Sequence, residues 1–440
     1  MDFYQVNGGY NFRGKIRCGG AKNLATKVII ASLLSDEISV LENVPNIGDV
    51  LTLKKMLTKI GVEWDFSGGT MSINPKTMSK FNIDHEDGII YGRLTMLLIP
   101  ALLLRNDLVS VPKMDGCKFG TRSVNFFFEI LKQFNIEIEE SEFLYHVKKI
   151  KPLKGQKIHL KFPSVGATEF AIMLCALAEG TSIIQNAAQE PEISCLISFM
   201  QRMGSRIHWI DEKTIYIEGV KKLHGSRYKI INDRIEAASW AVLAACSDGD
   251  IEVEDVIPDH LITFLGIYQR MGGGFSMTQR GIRFFRQEPL KSILVECGPY
   301  PVFSTDYQPL ITLMMTQASG ISAIHETIFN ERLSHLANLK NFGVKAELTT
   351  GCIGNECKFS YKNYYHSAFI VGPTQLVAPS QMVLSENLRS GIAYLLAGCV
   401  AQGQSKIGNI HFISRGYENI LEKLQSVNVD INLLNDLQRS

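Results

Sequence analysis

The chain has 440 residues, too many for one ordinary hydrophobic core, so two or three domains are expected. Lys and Arg number 45 against 44 Asp and Glu, a formal net charge of +1 that excludes general attraction to nucleic acid or anionic membrane; any anion binding has to be local. The 45% hydrophobic content fits a soluble protein, and nine singly scattered cysteines argue for a reducing cytoplasm over a disulfide framework.

In chain order, the N-terminal stretch Tyr4 to Cys18 has no apolar signal-peptide core and reads as strand. An apolar helix is expected over residues 23–34, a period-2 strand over 38–44, and a second helix over 49–61. The same succession recurs, with first helices over 93–104, 167–180, 234–249, 307–320 and 389–403. Second helices follow over 123–135, 192–204, 260–272, 331–343 and 416–428. The apolar run from Met96 to Leu104 contains Pro100 and is too short to span a bilayer, so no membrane insertion is expected. Each second helix ends on Gly or Asn (Gly61, Asn135, Gly204, Gly272, Gly343 and Asn428), the residues that adopt a left-handed C′ conformation cheaply.

The reading is therefore an α/β protein of six βαβαβ-like repeats. Its first helices are apolar nearly all round, so they belong in domain centres with sheets outside them. Repeats one to three fill residues 22–231. Repeats four to six fill residues 232–440, and the N-terminal segment 1–21 is expected to join them. An insertion is expected at about 350–381.

Polar residues fall at the helix starts. First helices open with Lys22 and Asn23, Arg93, Ser164-Val165-Gly166-Ala167-Thr168, Asp233 and Arg234, Asp306, and Arg389. Second helices open with Asp49, Cys117 with Arg122, Glu190, Asp259, Arg332 and Arg415. Helix N-termini offer free N–H donors, and Arg adds bidentate forks, so symmetry-related starts of this kind suit a multiply charged anion. Cations are disfavoured at helix N-termini, which makes Arg93, Arg389 and Arg415 odd unless an anion offsets the dipole. Capping is the plain alternative for Ser164 and Asp306. Among fixed cations Asp306 would stay ionised and could act as a base. In VPKMDGCKFGTR, Cys117 stands between Gly116 and Gly120 near Lys118 and Arg122; the loop alone leaves a working thiol and a small core residue both open. Cys352 and Cys357 in GCIGNEC lack a second Cys/His pair at zinc spacing, so a surface loop is expected there and no metal.

GGAKN, DGCKFGTR, SVGAT, NAAQEPEI, NDRIE, STDYQ, NERL, LRSGIAYLLAGCVAQG and SRGYE occur in the order found in enolpyruvyl transferases. The chain resembles that family over nearly its whole length, and DGCKFGTR resembles its nucleotide-sugar branch. The resemblance implies two inside-out α/β barrel domains of three repeats each, with an active-site cleft between them. It implies transfer of the enolpyruvyl group of phosphoenolpyruvate to the 3′-hydroxyl of UDP-N-acetylglucosamine for peptidoglycan synthesis, without a cofactor. Lys22, Arg122 and Arg415 would bind phosphoenolpyruvate, with Arg93, Arg332 and Arg389 supporting the site. Cys117 would be the acid and Asp306 the base. Asn23 would contact the acceptor, and Glu190 and Asp233 would lie near it or the hinge, with Ser164, Val165 and Gly166 as further substrate-binding positions. The chain departs from the family pattern at Gly48, Ser123, Asn125 and Phe162, which leaves open a transferase using a different nucleotide or sugar acceptor. A non-catalytic nucleotide-sugar binder is a further alternative.

Overall fold

The computed structural model describes residues 2–86, 91–114, 125–354 and 356–435. The chain forms two compact units: one runs from Gly20 to Ile231, and the other joins the residues up to Gly19 to those from Asn232 onward. Each unit has its own core and three sheets.

The six apolar helices form where their composition places them. They span Lys22–Ser32, Leu94–Arg105 and Val165–Cys175 in the first unit. Arg234–Cys246, Gln308–Thr316 and Leu388–Val400 are their counterparts in the second. Every residue of Arg234–Cys246 and of Gln308–Thr316 is buried, so these helices have no solvent face. Truncating a large side chain in such a core, for example Leu243→Ala, costs about 2–5 kcal/mol because the cavity only partly collapses.

The second helices are amphipathic and end as expected. Gly61, Asn135, Gly204, Gly272, Gly343 and Asn428 all have positive φ, from 56° at Asn135 to 100° at Gly272.

The sheets show how each unit closes. In the first unit, Ser39–Glu42 pairs antiparallel with Thr70–Asn74, and that strand with Glu63–Ser67. Arg227–Lys229, at the far end of the unit, returns to pair parallel with Ser39–Glu42. The third repeat has the same form: Lys157–His159 runs parallel to Thr181–Gln185, beside the hairpin of Arg206–Asp211 and Thr214–Glu218. The second repeat pairs Leu108–Pro112, Leu144–Lys149 and Ile136–Glu140, with a parallel bridge from Asn82 to Ser110.

The second unit repeats the plan using the N-terminus twice. Arg13–Arg17 is the parallel strand beside Asp250–Glu254. Asp2–Gly8 lies between Gly403–Gly408 and Asp430–Asn435, antiparallel to both, and so supplies the strand that other repeats take from their own hairpin. In the fifth repeat, Gly320–Glu326 lies between Leu294–Cys297 and Ser367–Gly372, with Lys345–Thr349 outside. Residues 367–372 were expected inside an insertion; they are a regular member of this sheet, and the extra chain is confined to 350–366. Among the described residues, no helix is long and apolar enough to cross a membrane.

Candidate functional site

In the second unit, three of the expected residues come together. Asp306 stands two residues before the buried helix Gln308–Thr316, whose N-cap position is Tyr307, so Asp306 is not its cap. One carboxylate oxygen, Oδ1, accepts from Arg332 Nη2 at 3.2 Å, and the other, Oδ2, accepts from Arg389 Nη2 at 3.0 Å. Arg389 stands in the first turn of Leu388–Val400, which Asn387 caps through its side chain. Arg332 opens a short 3-10 turn, is 4% exposed, and also donates to the Thr305 carbonyl. The anion demanded by Arg389 at its helix start is therefore Asp306.

Burial alone would raise the Asp306 carboxyl; the charges of Arg389, Arg332 and then Arg234 outweigh it and hold the group well below the usual carboxylate range. In turn burial would lower Arg389, but Asp306 raises it above its ordinary value. Arg234 is a residue the sequence reading left out of the site. It is buried, and its Nη1 donates to the Tyr307 hydroxyl at 2.9 Å. Its signal was present in NDRIE, where it follows Asp233.

Asp233 itself is an N-cap: its Oδ1 accepts from the Ile235 and Glu236 amides at 2.8 and 3.2 Å. Arg415 differs from expectation. It lies at the C-terminal end of the short helix His411–Ser414, and the helix it was expected to open begins later, at Ile420.

In the first unit, Lys22 begins its helix and forms an ion pair with Asp49 of Gly48–Lys59 at 2.8 Å. Asn23 follows, and its carbonyl accepts from Lys27 Nζ at 2.8 Å, which ties down the first turn. Arg93 precedes Leu94–Arg105. A Cβ on Gly166 would stand 3.9 Å from Arg93 Nη1 and 3.5 Å from Phe127, so the backbone there comes close to both side chains. Ser164 caps the helix Val165–Cys175 through the Ala167 amide at 3.4 Å. Glu190 occupies the N-cap position before Pro191 with no side-chain capping bond. Cys117 and Arg122 lie outside the described residues, as does Ser123.

Sequence reasoning passed over one buried pair in this unit. Glu169, one residue after Thr168, is 1% exposed, and neither carboxylate oxygen has a hydrogen-bond partner among the described residues; Lys27 Nζ is 3.6 Å away. Burial raises its pKa to about 7 against the lowering charge of Lys27. The available signal was a charge inside each of two otherwise apolar helices.

The arrangement offers a permanently ionised carboxylate among guanidinium groups, and cations at the starts of buried helices. Both suit polar, anionic ligands rather than apolar ones.

Comparison with known proteins agrees. Residues 6–424 match the family described as EPSP synthase (3-phosphoshikimate 1-carboxyvinyltransferase). The UDP-N-acetylglucosamine 1-carboxyvinyltransferase of Protochlamydia amoebophila is 38% identical over 445 residues, covering 99% of this chain and 95% of that protein. The protein of the same name from Chlamydia abortus is 38% identical over 98% of both chains. Among solved structures, the enolpyruvyl transferase NikO from Streptomyces tendae superposes with a TM-score of 0.84 over 98% of this chain and 99% of its own, at 18% identity. EPSP synthase from Acinetobacter baumannii gives 0.75 at 15% identity, over 99% of this chain and all of its own. At such identities these two structures speak for the fold alone.

Proposed function

Because the chain belongs to the EPSP synthase family of carboxyvinyltransferases, we propose that it transfers the enolpyruvyl group of phosphoenolpyruvate to the 3′-hydroxyl of UDP-N-acetylglucosamine, releasing phosphate for peptidoglycan-precursor synthesis. The observation that carries this is the end-to-end 38% identity to relatives whose name gives carboxyvinyl transfer and UDP-N-acetylglucosamine.

The chemistry has two steps. A proton is added to the methylene carbon of phosphoenolpyruvate, leaving an oxocarbenium centre that the acceptor oxygen attacks. The resulting ketal then loses a proton from its methyl group as the carbon–oxygen bond to phosphate breaks, which restores the double bond. Cys117 gives and retakes the carbon-bound proton, and Asp306 takes the hydroxyl proton. Asp306 is a weak base in its arginine setting, yet a weak base is sufficient: a hydroxyl oxygen becomes strongly acidic as it bonds to a cationic carbon. Acid and base partners of this kind contribute typically about 10²–10⁴-fold each.

Lys22, Arg122 and Arg415 take the anionic groups of phosphoenolpyruvate, with Arg93, Arg332 and Arg389 in support. Asn23, Ser164, Val165, Gly166, Glu190 and Asp233 serve the acceptor.

Phosphate release from phosphoenolpyruvate, measured with UDP-N-acetylglucosamine and a panel of other nucleotide sugars, tests this. Release with UDP-N-acetylglucosamine, together with an enolpyruvyl product of matching mass, is expected. Release only with another acceptor defeats the assigned substrate, and release with none defeats the transferase reading.

A further inference from the structure

The extra chain of the fifth repeat, residues 350–366, replaces what is a two- or three-residue turn in other hairpins, such as Gly68–Gly69 and Thr278–Arg280. The added closure entropy of such a loop is modest, and part of it turns inward: Phe359 and His366 are buried.

Two thiols and two imidazoles converge there. Cys352 and Cys357 approach to 3.6 Å between sulfurs, and Cys352 Sγ lies 3.4 Å from His366 Nε2. His325, from the central strand Gly320–Glu326, completes the group: one donor atom from each of the four residues lies within 4.8 Å of all the others. Donors around a tetrahedral zinc, with bonds near 2.3 Å to sulfur and 2.0–2.1 Å to nitrogen, stand roughly 3.4–3.8 Å apart. The Cys352–Cys357 and Cys352–His366 separations are of that size, and the whole group lies within 4.8 Å.

The imidazoles are also oriented for a ligand. His366 Nδ1 lies 2.8 Å from the Tyr364 carbonyl, which turns Nε2 toward Cys352. His325 Nδ1 lies 3.3 Å from Glu296 Oε2, on the strand paired with its own. Its other nitrogen, Nε2, is buried without a hydrogen-bond partner among the described residues, on a side chain only 1% exposed. A buried polar atom left so costs about 1–3 kcal/mol unless something occupies the position. Backbone carbonyl or carboxylate behind each metal-binding imidazole is the usual outer support of a metal site.

We propose that Cys352, Cys357, His325 and His366 bind one Zn²⁺ in a closed tetrahedral site. Two thiolates and two neutral imidazoles favour zinc over the harder divalent cations. Binding releases the two thiol protons to solvent and leaves the site electrically neutral. Four protein ligands leave no open coordination position, so the ion is structural: it fastens residues 350–366 to the sheet that carries His325. The sequence concealed the site because its histidines do not flank the cysteines at a recognisable spacing; His325 comes from a strand that precedes the loop.

The test uses the full chain, purified under reducing conditions without chelator. Elemental analysis should find one zinc per chain, and Cys352→Ser with Cys357→Ser should lower it by more than about tenfold. Should that variant fold poorly, cobalt(II) added to the metal-stripped parent gives an independent reading. Thiolate-to-cobalt charge transfer and intense tetrahedral ligand-field bands are expected, and His366→Ala should weaken them. A parent with neither zinc nor cobalt bands overturns the proposal. So does a Cys352–Cys357 disulfide found by mass spectrometry after alkylation at lysis.

Discussion

Asp306 and Glu169 are two carboxylates beside buried helices, one in each unit, and their surroundings drive them in opposite directions. Asp306 receives a guanidinium on each oxygen and is held ionised far below its ordinary range. Glu169 has an ammonium at 3.6 Å and no hydrogen bond among the described residues, so desolvation prevails and its pKa rises to about 7. Burial sets the penalty in both places; directed hydrogen bonds decide whether it is overcome. The first carboxylate can interact with a hydroxyl at any physiological pH, whereas the second changes charge near neutrality.

The most severe way to break this comparison is Asp306→Asn. It leaves Arg332 and Arg389 facing each other without their shared counter-charge, so a stability loss of about 3–5 kcal/mol is expected in denaturant unfolding. Turnover, followed by phosphate release, should fall about 10²–10⁴-fold. Turnover within tenfold of the parent removes Asp306 from the reaction.

A second test separates acid from base. Cys117→Ser should lower turnover by about 10²–10⁴-fold, because a hydroxyl is too weak an acid to protonate carbon. Cys117→Asp should retain turnover through its carboxylic acid, and equal rates in the two variants sink the acid role.

Glu169→Gln sharpens the other half of the comparison through pH. The folded-state pKa of Glu169 lies above its unfolded value, so the folded protein keeps a proton that the unfolded chain releases between about pH 4.5 and 7. Stability from this group is therefore complete at acid pH and is lost as pH rises through that window. Relative to the parent, Glu169→Gln should gain about 3 kcal/mol between pH 4.5 and 8 in denaturant midpoints. A difference that does not vary with pH shows that Glu169 titrates normally.

The smallest effect tests the repeat register. Gly343 has φ 91°, and an added Cβ would meet only the Gln375 carbonyl, at 3.9 Å, so Gly343→Ala should cost about 1–2 kcal/mol through backbone strain alone. Asn428→Gly, at φ 67°, should be close to neutral, both variants being compared by thermal unfolding.

Much of the fold was legible because it rests on local rules. An apolar run without a polar face can only be a core helix, and Gly or Asn at the end of an amphipathic helix answers a steric demand within a few residues. Both rules held across the six repeats. The helix-start cations were legible as a list, since an Arg beside a helix dipole asks for an anion. Their partners were not, because Asp306 meets Arg389 across 83 residues of sequence. Asp233 and Ser164 also cap their helices through their side chains, a local role that the sequence offered for Ser164 beside ligand binding.

The sequence by itself determined the six repeats, the buried helices and their left-handed endings, which depend on periodicity and on sterics of neighbouring residues; the family was legible through the resemblance of its ordered motifs. Tertiary structure alone decided which charges pair, which carboxylate is raised toward neutrality, how Arg227–Lys229 and Asp2–Gly8 complete their sheets, and where His325 meets Cys352. Electrostatic partners and metal ligands act over distances of a few ångströms in space, and chain separation carries almost no information about them.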